Sequence, residues 1–423
     1  MIDPNSSRTI WQKEVIRKWI EINKAKGFTE ICTGAGKSYI GILAIKLANE
    51  RHPDKQINVV VPSTMLSDAW LDEKKGHIAI HGLKNVNVYV INSYVKDQHE
   101  CGLLIIDEVQ RSSNEKSKLF STVISRTKFN WILCLTATLE KEHKEFLLKY
   151  NITLIEKFTA QQGVDAGWLS PYKILCLPVD LSETDRIAYD KMHSEFNRHF
   201  AVFGFDFNLA MKCVTDYKER EELAKKLSWE KSRIDAAVFN WNRNMRLRKE
   251  FLYHIQSKID MAVTITKNLN MQTILFGQSI AGADYIAEKL GDSCVEYHSK
   301  MSKKQAKENL KRLKDGRTKI TQISSAKGLE EGFDLPNLQL GIRWSRTSKA
   351  LSQVQSNGRL LRYYSGKTAY FIELFVEDSQ DEVWLKNSLR GQKNVFYLKN
   401  EEQIYDIINA DNLKREQESL KLL

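Results

Sequence analysis

Along the first 150 residues, short apolar runs alternate with stretches of helical period. The runs Phe28–Cys32, Ile57–Val61, Val86–Ile91, Leu103–Ile106 and Trp131–Leu135 are almost continuously apolar. That character predicts parallel strands covered on both faces, with amphipathic helices such as Lys37–Asn49 between them. From about residue 180 to 260 the pattern changes to long, charged segments of helical period with few strand signals, which predicts a helical insertion. From Gln272 the alternation returns. Strands are expected at Thr273–Phe276, Val295–Tyr297, Thr318–Ile323, Leu338–Ile342 and Thr368–Phe375. Helices are expected at Ala281–Leu290, Lys303–Leu313 and Lys349–Leu361. The fold class is therefore α/β: two doubly wound parallel-sheet domains with a helical insertion between or within them. The expected boundaries are 1–168 for the first domain, 169–265 for linker and insertion, 266–380 for the second domain, and 381–423 for a helical extension.

Composition narrows the partner. The 423 residues carry 64 Lys and Arg against 53 Asp and Glu, a net charge of +11. Such an excess favours a polyanion, because Lys and Arg displace condensed counterions from a phosphate backbone. A merely soluble basic protein is the competing account. Six scattered cysteines with no CxxC pair read as buried thiols of a reducing compartment. No signal-peptide stretch and no run near the roughly 20 apolar residues of a membrane span is present, so the expectation is a cytoplasmic protein without a membrane partner.

The chemistry is concentrated at two places. Thr33-Gly34-Ala35-Gly36-Lys37-Ser38 follows an expected strand and opens an expected helix. In that context glycines let backbone N–H groups curl around phosphates, and the helix N-terminus adds positive potential. Lys37 would reach the β and γ phosphates of ATP, and Ser38 would ligate Mg²⁺. The full phosphate-loop pattern wants Gly at position 31, where this chain has Ile31. About seventy residues on, the apolar run Leu103–Ile106 ends in Asp107-Glu108. Asp107 suits Mg²⁺, and Glu108 suits orientation and deprotonation of an attacking water. Two acids after a strand are also a common solvated turn; their place downstream of the phosphate loop is what gives them meaning.

Four ordered segments then carry a family resemblance: Thr33–Ser38, Asp107-Glu108-Val109-Gln110, Thr136-Ala137-Thr138 and Gln355-Ser356-Asn357-Gly358-Arg359-Leu360-Leu361-Arg362. They resemble motifs I, II, III and VI of superfamily 2 helicases over roughly residues 8 to 376. The resemblance implies two RecA-like domains with ATP in the cleft between them. It implies arginine fingers at Arg359 and Arg362, with Arg362 the more direct, and Gln355 at the start of that motif. It also implies an adenine-reading Gln12 beside Trp11, for which an exposed helical Gln is the competing reading. Gly332 and Asp334 resemble the end of motif V near the ribose, and Thr136 and Thr138 resemble the motif that couples ATP state to nucleic acid. Gln110 departs from the DEAD-type families, which end motif II with Asp or His, and so argues against a DEAD-box protein.

The same resemblance implies a sequence-independent track at Pro62-Ser63, Asn92-Ser93 and Ser325, each of which is also an ordinary polar residue at a strand end. In the insertion, Trp229, Trp241, Arg243, Arg246 and Arg248 interleave bases and aromatics. That suits phosphate contact with base stacking or a duplex wedge, with Arg243 and Arg246 as the contacts; a helix that buries Trp and exposes Arg is the bland alternative. The stretch Gly167-Trp168-Leu169-Ser170-Pro171 looks like the link after the first domain in phage UvsW-like, XPB-like and restriction-motor helicases. UvsW-type enzymes move on duplex DNA and remodel forks and junctions, which implies a monomeric DNA translocase of recombination or repair, working in the host cytoplasm if phage-encoded, with recombination or replication proteins as further partners. UvsW itself carries an additional N-terminal domain, whereas few residues precede Trp11 here. Two alternatives stay open: an RNA-stimulated ATPase, and an ATP-gated subunit that works only within a larger complex.

Overall fold

The structure, a computed structural model, describes residues 3, 5–111, 121–315, 318–326, 338–347, 360–364 and 366–420. Six strands form the first sheet: β1 (Lys26–Ile31), β2 (Ile57–Val61), β3 (Val86–Val90), β4 (His99–Asp107), β5 (Thr127–Thr136) and β6 (Thr153–Phe158). Their order is β3-β2-β4-β5-β1-β6, and every pairing is parallel. β2 is buried along its whole length and β1 nearly so, as continuous apolar runs require of a sheet covered on both faces. The helix Ser7–Glu21 lies against this sheet. Ser6 caps it by accepting from Thr9 N, and buried Trp19 donates its indole N–H to Ile132 O at 3.0 Å.

The second sheet has seven parallel strands in the order β13-β7-β12-β11-β8-β10-β9. They are β7 (Tyr172–Pro178), β8 (Thr273–Gly277), β9 (Cys294–His298), β10 (Gln322–Ala326), β11 (Leu340–Arg343), β12 (Ala369–Phe375) and β13 (Val395–Tyr397). Because β7 precedes the helical insertion and β8 follows it, the insertion springs from within the second domain. The segment read as linker and insertion thus contributes a strand to the second sheet. The extension beyond residue 380 contributes another, β13, before its final helix Glu402–Leu420. Asp411 pins that helix by accepting from Lys173 Nζ at 2.8 Å and Tyr370 OH at 2.9 Å.

Three sequence expectations shift for local reasons. β6 was not anticipated: it is an edge strand with an interrupted burial pattern, and Glu156 and Lys157 break its apolar run. The strand expected at Thr318–Ile323 begins four residues later, because Thr318 Oγ1 donates to Arg312 O or Asp315 O and closes a turn after the preceding helix. The helix expected at Lys349–Leu361 falls mainly on 348–359, outside the described residues.

Two features make the second domain rigid. Trp344 is fully buried beneath Gly277, where a Cβ would lie 1.8 Å from its ring, so only glycine fits there. At the carboxyl ends of β11 and β12 lies a buried ionic cluster. Lys258 Nζ meets Asp381 Oδ2 at 2.7 Å, Arg346 meets Asp381 and Glu373 at 3.3 Å, and Arg343 Nε meets Glu373 at 3.3 Å. The insertion has a core of its own around Phe196, Phe203, Ile234 and Trp241. It is tied to the domain by buried Arg248, which donates to Gln380 Oε1 at 3.1 Å and pairs with His193 Nδ1 at 2.9 Å.

Candidate nucleotide site and its coupling path

In an open parallel sheet, ligands bind beyond the carboxyl ends of the strands. The phosphate loop leaves the end of β1, Asp107 ends β4, and Thr136 ends β5 between them. Gly34 and Gly36 hold φ of 91° and 95°, the left-handed region open to glycine. Gly36 is also the N-cap of the helix Lys37–Arg51 and offers no side chain to close it. Backbone donors at that helix end therefore suit an anion, which is the fit a nucleotide phosphate requires.

The loop is braced from the first helix. Arg8 donates to Gly34 O at 2.5 Å and Ala35 O at 3.1 Å, and Gln12 Nε2 donates to Gly36 O at 3.2 Å. Gln12 is 3% exposed, which overturns the competing reading of an exposed helical Gln. Trp11 packs against Phe158 and Trp168, with ring centroids 4.6 and 5.3 Å away, and those two rings stack on each other at 5.1 Å. Sequence reasoning missed Arg8; its only signal was a basic residue one turn before Gln12. Burial lowers the Arg8 pKa from its ordinary value, the Cys32 thiol opposes this, and the positive charge of Arg362 adds to it. Arg362, from the second domain, is thus close enough for its charge to act on Arg8.

The linker accounts for that approach. Leu169 forms an antiparallel bridge with Arg362, Ser170 N donates to Leu361 O at 2.9 Å, and Ser170 Oγ donates to Arg362 O at 3.1 Å. One residue earlier, Trp168 Nε1 donates to Ser7 Oγ at 3.0 Å at the start of the first helix. A stretch of three residues thus binds the arginine segment on one side and the phosphate-loop brace on the other. Gln355, Arg359, Gly332 and Asp334 lie outside the described residues.

The acids meet the loop through Lys37, whose Nζ donates to Ile31 O at 3.2 Å and lies 3.9 Å from Glu108 Oε1. Glu108 has φ of 52°, an unusual conformation for a residue with a Cβ, and Asp107 Oδ1 accepts its N–H at 3.1 Å. From Glu108 a chain of hydrogen bonds runs outward. Gln110 Nε2 donates to Glu108 Oε2 at 2.9 Å, and Thr136 Oγ1 donates to Gln110 Oε1 at 2.8 Å or to Thr138 O at 2.9 Å. Gln110 is 6% exposed. Glu30, another residue the sequence did not single out, is 4% exposed; it accepts from Leu139 N at 2.8 Å and pairs with Lys144 at 2.9 Å, which holds the segment after Thr138 in place. No cluster of three or more metal-ligating side chains occurs among the described residues; Ser38 and Asp107 remain the pair suited to Mg²⁺, which takes one or two protein ligands and the substrate phosphates.

The candidate track is partly assembled. Val61 pairs with Val90, so Pro62-Ser63 and Asn92-Ser93 emerge side by side beyond β2 and β3. Asn92 and Ser93 are exposed, whereas Ser63 caps the next helix by accepting from Leu66 N and Pro62 is buried. Ser325 sits inside β10 at 2% exposure, one residue before the strand's end. Arg243 and Arg246 are exposed on the insertion, while Arg248 and Trp241 are buried. All six cysteines are buried, and no described helix is long and apolar enough to cross a membrane.

Comparison with known proteins matches residues 7–86 to the type III restriction enzyme res subunit family and residues 256–364 to the helicase conserved C-terminal domain. No curated protein matches the sequence. The ATP-dependent Type ISP restriction-modification enzyme LlaBIII bound to DNA is similar with a TM-score of 0.58 and 14% identity, over 98% of this chain and 33% of that one. This chain thus spans about a third of that enzyme. S. cerevisiae Dbp5 bound to RNA and ADP BeF3 gives 0.57 and 12%, over 95% and 92%. The Pyrococcus furiosus Hef helicase domain gives 0.50 and 14%, over 89% and 97%. At these identities the likeness is one of fold.

Proposed function

We propose, from the premise that this chain is an ATP-dependent nucleic-acid motor of helicase superfamily 2, that its track is duplex or branched DNA. The observation that carries the motor reading to particular residues is the meeting of Lys37 and Glu108 at one phosphate loop, with the Arg362 segment tied to the brace of that loop through the linker and Gln110 and Thr136 leading away from it. Two findings support DNA: the first domain matches a restriction-enzyme family, and a similar structure is a restriction-modification enzyme bound to DNA. Dbp5 bound to RNA keeps an RNA-stimulated ATPase as the second reading.

In this reading the Lys37–Arg51 helix end and Lys37 hold the phosphates. Bound Mg²⁺, held by Ser38 and Asp107, would neutralise charge that develops on the transferred phosphoryl group. Glu108 orients the attacking water and takes its proton, and Arg362 stabilises charge from across the cleft. Gln12 holds the loop whose neighbour it reads, and Arg8 shares that task. Gln110 and Thr136 pass the state of Glu108 to Thr138 and the segment beyond. Asn92, Ser93, Arg243 and Arg246 are the contacts proposed for the nucleic-acid backbone.

The test is steady-state ATP turnover with no effector, single-stranded DNA, linear duplex, a four-way junction or RNA, with Lys37→Ala as control. Turnover that rises most with duplex or junction and vanishes in the control supports the reading. Stimulation by RNA alone replaces it with the RNA-stimulated ATPase, and no stimulation by any effector points to a subunit that needs a protein partner.

A further inference from the structure

The insertion contains a cavity of about 460 Å³ that no part of the nucleotide site uses. That volume lies within the roughly 300–1,000 Å³ of small-ligand sites. Its wall is built from Arg198, His199, Val202, Trp229, Arg233 and Asn240. The guanidinium of Arg233 lies 3.5 Å from the centre of the Trp229 ring, so the two form a cationic shelf with an aromatic body. Asn240 brings an amide that both donates and accepts. Arg198 adds a second cation, partly balanced by Glu195 at 2.6 Å.

The cavity continues onto a charged face. Arg233 and Asn240 belong to the helix Lys231–Tyr253, which carries six basic residues against two acidic ones. The same helix carries Phe239, one residue before Asn240, and Arg243 and Arg246 beyond it, at spacings of four and three that share a face. Phe239 is 66% exposed. An Arg–Trp stack and an amide in one pocket wall, with further cations on the same helix, suit an aromatic ring on a phosphate chain.

The geometry points to this cavity as a receptor for one unpaired nucleotide at the mouth of a duplex, with the base stacked on the exposed Arg233 guanidinium that Trp229 supports and the flanking phosphates on Arg243 and Arg246. The inference rests on the nucleic-acid reading above and deepens it: the insertion distinguishes a tailed or forked end from a continuous duplex.

Fluorescence anisotropy with a labelled blunt duplex and the same duplex bearing a short unpaired tail tests it, on the full chain. Trp229→Ala is expected to weaken tailed-duplex binding at least fivefold, near the lower bound for stacking one base on an aromatic ring, while blunt-duplex affinity and ATP turnover with blunt duplex stay unchanged. Trp229→Phe should restore most of the loss. Trp229 also packs on the insertion's core, so Asn240→Ala provides an independent variant that leaves that core filled. Equal weakening on both duplexes, or tailed-duplex affinity at the wild-type level in both Trp229→Ala and Asn240→Ala, overturns the inference. If wild-type turnover responds to RNA and not to DNA, the branched-DNA reading fails alone; the same variants on a tailed RNA duplex then decide the cavity, a selective loss supporting it and no loss overturning it.

Discussion

Replacing Gln110 by Ala should slow ATP turnover about tenfold without weakening ATP binding. Gln110 Nε2 donates to Glu108 Oε2 at 2.9 Å, a bond to a charged acceptor. Such bonds contribute roughly 1.5–3 kcal/mol. The Glu108 side chain is 13% exposed, so water can replace part of the lost donor, and the lower end of the range applies. About 1.4 kcal/mol is a factor of ten in rate. Thr136 keeps an acceptor in Thr138 O at 2.9 Å, so its hydroxyl is not stranded. The phosphate loop and Lys37 are untouched, which is why KM for ATP and nucleic-acid affinity should hold. Gln110→Glu should be worse than Ala, because it sets a second carboxylate beside Glu108. Steady-state turnover at saturating nucleic acid measures both variants. A kcat within twofold of wild type, or a loss seen only in KM, would refute the idea that Gln110 positions Glu108.

Three further outcomes follow from the structure. Arg362→Ala should cut turnover by roughly a thousandfold, in the range of an arginine finger, with ATP affinity within threefold of wild type; comparable losses in both would place Arg362 in ground-state binding. Asp381→Asn leaves buried Lys258 and Arg346 short of a counter-charge and should destabilise the second domain by about 3–5 kcal/mol in chemical denaturation, with Lys258→Met recovering part of it; a change below about 1 kcal/mol would mean that water reaches the cluster. Burial pushes the Cys32 thiol up to about 11 despite nearby Lys37 and Arg8. At pH 8 its thiolate fraction is then roughly one in a thousand, so iodoacetamide labelling of that peptide should be slow and rise about tenfold per pH unit toward pH 10; labelling that levels off by pH 9 contradicts the burial.

The strands that carry function were legible because each is buried on both faces over its central stretch and so written as an almost continuous apolar run: β2, β4 and β5 contain Ile57–Val61, Leu103–Ile106 and Trp131–Leu135. The phosphate loop and the Asp107-Glu108 pair were legible for a related reason, since a turn needing positive φ requires glycine and a strand end places its next side chain at the ligand edge. Three strands were not legible: polar residues interrupt the edge strand β6, β13 is only three residues long, and β7 lies next to the charged helical stretch that masks it, whereas the edge strands β3 and β9 lie at Val86–Ile91 and Val295–Tyr297 as expected. Long-range polar contacts were equally hidden. Nothing local to Arg8 or Glu30 shows that one will brace the loop 26 residues on and the other will hold a segment 109 residues away. The same holds for the linker at Leu169-Ser170, which meets Arg362 across nearly 200 residues. Periodicity and turn chemistry act within a few residues and are fixed before the chain folds, whereas these partners exist only once each sheet has formed and brought segments distant in sequence together.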